Sequence, residues 1–150
     1  PLLLIVSTLL SFGDVRIKSV TSQYYKRNDF KRILEYFRGT EFTGNNLIFR
    51  SDETDRQGLY FHLGLSSKLS DVPPGAKIFL DVVSSESIEA KRYEFSFPTT
   101  TEGKKYLLVG LTGKDWPGKE TKLVAWRMEI RSEKKKLLAS KESYLWGHKE

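Results

Sequence analysis

From residue 46 onward apolar side chains recur at every second position, the period of a strand with one buried face. Leu47-Ile48-Phe49-Arg50 leads into the polar stretch Ser51–Gly58, after which Leu59, Phe61, Leu63 and Leu65 alternate with Tyr60, His62 and Gly64. Val72-Pro73-Pro74-Gly75 is a turn signal, and Ile78, Leu80 and Val82 then alternate with Phe79, Asp81 and Val83. Tyr93, Phe95 and Phe97 alternate up to Pro98, and Tyr106–Leu111 runs to Thr112-Gly113. Val124, Trp126, Met128 and Ile130 share one face, opposite Ala125, Arg127, Glu129 and Arg131, which places Trp126 in the core. Ser132–Lys136 joins that strand to a last one within Leu137–Trp146.

The first 45 residues follow other patterns. Asp14–Gln23, with Val15 and Ile17 in alternation and a β-branched stretch behind them, reads as a first strand. Phe30, Ile33, Leu34 and Phe37 form an amphipathic stripe, so a short helix is expected over 28–39, capped by Asn28 or Asp29 and ended by Gly39. Pro1–Gly13, PLLLIVSTLLSFG, carries no charge. Its apolar run Leu2–Leu10 is far short of the roughly 20 residues of a membrane-spanning helix. It matches the apolar core of a secretory signal, with Ser11 and Gly13 as small residues before a cleavage point at Asp14. We therefore expect residues 1–13 to be a truncated signal remnant without its basic start, and 14–150 to be one exported domain. A buried strand is the plainer alternative for the same residues.

About eight strands with turn signals between them and no interleaved helices predict an all-β, antiparallel sandwich of immunoglobulin or fibronectin type, with one short N-terminal helix. A closed β-barrel is the alternative, and a five-stranded oligonucleotide-binding barrel has too few strands. Apolar residues are 39% of the chain, which suffices for a packed core. There is no cysteine, which excludes disulfides, thiolate metal sites and cysteine nucleophiles. Two histidines, His62 and His148, are too few for a histidine metal triad.

The chemistry-bearing residues are weighed against plainer roles. Asp52, Glu53 and Asp55 crowd one loop, but their spacing is not that of a calcium loop, and a solvated turn explains them. His62 points away from the apolar face of its strand and has no nucleophile motif around it. Asp52, Asp55, Asp115 and Glu120 show no pairing that would suit a hydrolase. No cofactor, metal or catalytic residue is expected, and the chain reads as non-enzymatic. Trp116, in the loop Thr112–Lys122, either plugs one end of the sandwich or joins Tyr24, Tyr25, Tyr60 or Trp146 in a flat platform for sugar rings.

Net charge is +6, from 25 Lys and Arg against 19 Asp and Glu. The basic residues fall in pairs, including Lys26-Arg27, Lys31-Arg32, Lys91-Arg92 and Lys104-Lys105, with Lys134-Lys135-Lys136 in the last turn. Tyr24-Tyr25-Lys26-Arg27 sets aromatics beside such a pair and could contact a polyanion. Acidic neighbours near every pair favour a solvated surface instead, and export would make nucleic acid an unlikely partner.

The segments Gly58–Leu65, Pro73–Asp81, Leu111–Gly118, Ala125–Ile130 and Ser143–Trp146 together resemble a group of small exported bacterial proteins without assigned function. The resemblance spans roughly 36–146 and rests on turn and core patterns. It implies export and a β-sandwich, and carries no active site. The expected role is an accessory or interaction module that meets a protein or glycan of the cell envelope, periplasmic or extracellular. Carbohydrate binding and polyanion or envelope binding are the alternatives.

Overall fold

The computed structural model describes residues 15–30 and 43–148. Eight strands account for most of them: β1(Ile17–Tyr25), β2(Asn46–Arg50), β3(Gly58–Leu65), β4(Lys77–Ser84), β5(Ser87–Ser96), β6(Tyr106–Thr112), β7(Leu123–Arg131) and β8(Leu137–Glu142). They form two four-stranded sheets, ordered β1-β3-β6-β2 and β5-β4-β7-β8. The alternation read from the sequence points the apolar face of each sheet at the other. Phe61, Leu107, Val109 and Leu111 from the first sheet meet Ile78, Leu80, Met128 and Ile130 from the second in one buried cluster. The Phe61 ring packs edge-on against Trp126 across that interface, 6.1 Å between centroids. The architecture is the expected β-sandwich, with two open sheets in place of a closed barrel.

Every paired neighbour is antiparallel except β2 and β6, which run parallel. β1 and β2 point toward the same end of the sheet. On one side of the sandwich Lys141 Nζ donates to the Lys18 carbonyl at 2.9 Å and draws the β8 and β1 edges together. On the other side the Phe49 ring fills the gap between β2 and β5 against Phe95 and Phe97.

The ladder departs from the sequence pattern in three places. β5 begins at Ser87, well before its first apolar alternation at Tyr93, because its first half is an exposed edge paired only with β4 among the described residues. Val124 is exposed where a core position was expected, because a register irregularity at the entry of β7 pairs Leu123 with Ser84 and Ala125 with Val83, leaving Val124 out of the ladder while Leu123 packs on the core. Trp126, one turn of the pleat further in, is partly buried against the core. Of the helix expected over 28–39, the first residues belong to a 3-10 turn, Arg27–Phe30. The rest, like the segment 1–13, lies outside the described residues. The strand expected to run to Trp146 stops at Glu142 and gives way to a single turn, α1(Tyr144–Gly147). Among the described residues no helix is long and apolar enough to cross a membrane.

Candidate functional site

Strand direction sorts the loops into two ends. Loops 51–57, 85–86 and 113–122 lie at one, and loops 66–76, 97–105 and 132–136 at the other. The aromatic residues singled out in the sequence fall at the first end, and they do not form a platform. Trp116 is 4% exposed and belongs to the core cluster, where it closes the space between the sheets beside Tyr93 and Leu111. A sugar-stacking indole must face solvent, so this residue takes its plainer role as a plug. Tyr24 points inward, partly buried against the core, and Tyr25 points outward, as their neighbouring positions on β1 require.

Tyr60 is 0% exposed although it lies on the outer face of its sheet. It can lie flat there because its cross-strand neighbour is Gly110: a Cβ at that position would stand 2.5 Å from the Tyr60 ring. Phe30 and Tyr25 pack on the same ring, at 4.7 and 5.5 Å. The Tyr60 hydroxyl donates to the Arg56 carbonyl and accepts from Arg50 Nε, both at 2.6 Å. This small outer cluster buries Tyr60 completely. Lys26 and Arg27 follow in the adjoining turn, where the Lys26 backbone N–H donates to Asp29 and Arg27 reaches Asp55 at 3.4 Å. Such an exposed pair contributes little.

His62 joins the same cluster. Its Nε2 lies 2.8 Å from the Tyr25 hydroxyl, whose pKa burial and the Asp29 carboxylate raise above its ordinary value. Burial also lowers the His62 pKa below its ordinary value, so the fold favours the neutral ring. The folded-state pKa thus lies beneath the unfolded one. The contribution is fully present above about pH 6.5 and is lost as pH falls through the lower, folded value. Urea midpoints measured at about pH 7.5 and about pH 5 should therefore drift apart more in the parent protein than in His62→Gln. Equal drifts in the two proteins would show that His62 does not set this pH dependence.

The carboxylates are held locally. Asp52 accepts from the Thr54 hydroxyl and backbone N–H, at 2.6 and 3.0 Å. Those bonds, with Lys114 nearby, keep its pKa below the ordinary carboxylate value. Asp55 accepts from the Gln57 N–H at 3.0 Å. The loop is thus a self-bonded turn, and among the described residues no three His, Asp or Glu side chains gather to hold a metal.

A second polar cluster lies on the outer face of the other sheet. Glu129 is 3% exposed, paired with Arg131 and within 3.6 and 3.7 Å of Arg92 and Arg127. Arg92 also approaches Asp81 at 3.9 Å and lies over the Phe79 ring at 4.6 Å. Register explains the gathering: Glu129 stands opposite Phe79, and Asp81 stands between Arg92 and Arg127. Each charge has an opposite charge beside it, which suits a device that holds three strands together.

A groove of about 830 Å3 lies at the other end of the sandwich, between loops 66–74 and 97–105. Two similar turns shape it. Pro73–Ala76 and Thr101–Lys104 each close with a backbone hydrogen bond, and Gly75 and Gly103 supply the left-handed third position at φ +81° and +76°. The Phe97 N–H donates to the Ala76 carbonyl and ties the two loops together. Leu69, Val72, Phe97 and Pro98 give the groove an apolar floor. Among the described residues, Lys68, Lys104 and Lys105 stand against one carboxylate, Glu102, around it. Lys104 is fixed in place by the Thr43 hydroxyl and the Gly44 carbonyl at 2.9 and 2.8 Å. The 132–136 turn lies at the same end, with Glu133 against Gly75, and carries Lys134, Lys135 and Lys136, so two basic clusters that are distant in sequence share this end with Lys68. The three loops here carry six lysines against Asp71, Glu102 and Glu133, whereas loops 51–57, 85–86 and 113–122 carry a small acidic excess.

No sequence reading pointed to this groove. Pro73-Pro74 and Phe97-Pro98 are legible as turns, but their convergence depends on the crossing of the chain between sheets.

No family model matches the chain, and no curated protein matches it. Among solved structures, the chain is similar to a crystal structure of an immunoglobulin-like protein from Pseudomonas aeruginosa. The two are 14% identical, the match covers 88% of this chain and 96% of that one, and the TM-score is 0.37. At that score the sandwich assignment rests on the strand pairing itself.

Proposed function

We propose that the chain is an exported, non-enzymatic β-sandwich accessory module that contacts a component of the cell envelope through its basic loop end. The observation that carries this reading is the groove between loops 66–74 and 97–105. It has the volume of a ligand site, an apolar floor and a basic rim, and it is built on loops anchored to a rigid scaffold. Among the described residues its lining contains no histidine and one carboxylate, a composition that suits binding better than acid–base chemistry. The titratable groups with shifted pKa values lie elsewhere and are held by local bonds or burial. Carbohydrate stacking loses its support with the burial of Trp116 and Tyr60.

Bait protein carrying Thr99→Trp, which fills the groove mouth from an exposed position, should retain far less of its envelope partner than the parent or Ser140→Trp, a control on the outer face of the second sheet. Equal retention by all three contradicts the reading. Export rests on the uncharged apolar segment 1–13 and the absence of cysteine. The intact mass of protein recovered outside the cytoplasm should correspond to a chain that starts at Asp14. Retention of the apolar segment would contradict export by cleavage.

A further inference from the structure

Resting on that reading, we infer that the groove takes an extended acidic segment of a partner protein, with an apolar side chain on its floor. Three independent features of the lining select this ligand. The first is charge. Among the described residues, Lys68, Lys104 and Lys105 surround the groove against Glu102. A site of this sign attracts carboxylates and disfavours basic ligands. Lys104 is already oriented by Thr43 and Gly44, neutral acceptors that leave its charge uncompensated by them.

The second feature is the floor. Leu69 and Val72 are buried in the core cluster and Phe97 packs against it, so these side chains form a fixed apolar surface. Burial of a partner's apolar side chain there would contribute to affinity in proportion to the area removed from water. A purely hydrophilic polyanion would leave that surface unused.

The third feature is the row of hydroxyls. Ser67, Ser70 and Thr99–Thr101 line the groove between floor and rim. Ser70, Thr99 and Thr100 are exposed there. Covering hydroxyls without giving them partners is costly, and an acyl chain laid over this row would do so. A peptide backbone brings an N–H and a C=O at every residue and can satisfy such a row. Hydroxyls above an apolar floor and inside a basic rim therefore favour an acidic peptide over an anionic lipid.

The test is to pan a random-peptide display library against the full chain, with Lys68→Glu/Lys105→Glu and Thr99→Trp as comparison baits. Both variants alter exposed positions, and unchanged thermal unfolding would establish that they fold. The enriched peptides should combine Asp or Glu with an apolar residue. They should bind the lysine double variant at least about tenfold more weakly, with affinity that falls as salt rises. Peptides that are neutral or basic, yet still blocked by Thr99→Trp, overturn the acidic assignment and leave the groove reading standing. Binding of a dodecanoate probe in the groove with no peptide enriched overturns the peptide in favour of an amphiphile. Absence of any ligand sensitive to Thr99→Trp overturns both readings.

Discussion

Phe61→Ala should lower unfolding stability by about 3–5 kcal/mol, the range for removing a buried aromatic ring. Phe61 is fully buried at the centre of β3 and faces Trp126 of β7, so it spans the two sheets. The loss combines the transfer free energy of the ring with the cavity left behind, because strands hydrogen-bonded on both sides cannot collapse to fill it. At a few degrees per kcal/mol, the melting temperature should fall by roughly 10–20 °C. A double-mutant cycle with Trp126→Ala separates the packing partner from general burial. Edge-on aromatic pairs couple by about 0.5–1.5 kcal/mol, so the double variant should be less destabilised than the sum of the single ones. Strict additivity would mean that the sheets do not pack through these rings.

The second large effect is expected at Glu129. Removing one partner of a buried ion pair costs about 3–5 kcal/mol when the remaining charge stays buried. The arginines around Glu129 have side chains 29–50% exposed and can partly regain water, while Arg92 keeps Asp81 and Phe79. Glu129→Ala should therefore cost about 3 kcal/mol, at the low end of that range. Glu129→Gln should cost less, because the amide oxygen can still accept from Arg131 while the charge is gone. Denaturant midpoints for the two variants check the order. A change within about 0.5 kcal/mol for Glu129→Ala, as at an ordinary surface position, would show that the network does not hold the strands.

The strands of the core were legible because their inner residues alternate without interruption: Leu59, Phe61 and Leu63, or Ile78, Leu80 and Val82, state both the element and its buried face. Where a strand has no buried face, the signal disappears. Ser87–Arg92 gives no apolar alternation because it forms an exposed edge, so the sequence pattern marks its strand only from Tyr93 onward. Tyr60 and Glu129 mark the opposite difficulty. Their parity correctly placed them on outer faces, but burial there comes from Phe30 and Arg50 in one case and three arginines in the other. Phe30 and Arg92 are distant in sequence, whereas Arg127 and Arg131 flank Glu129 two positions away on its own strand. Trp116 was legible as an alternative between plug and platform, and only the loop geometry chooses the plug. The groove was illegible for the same reason. Of the basic clusters, Lys104-Lys105 and Lys134–Lys136 share one end because their loops exit there, while Lys26-Arg27 lies at the other end and Lys91-Arg92 within β5.

The central claim is that this end, and not the sheet faces or the β5 edge, meets the partner. A photo-crosslinking amino acid placed singly at Ser70, Thr99 and Glu102, and at Ser140 and Ile88 as controls, tests it in the producing cell. The account requires a common covalent adduct from the three groove positions and none from the two controls. Adducts confined to Ser140 or Ile88, or the absence of any adduct from the groove positions, would contradict it.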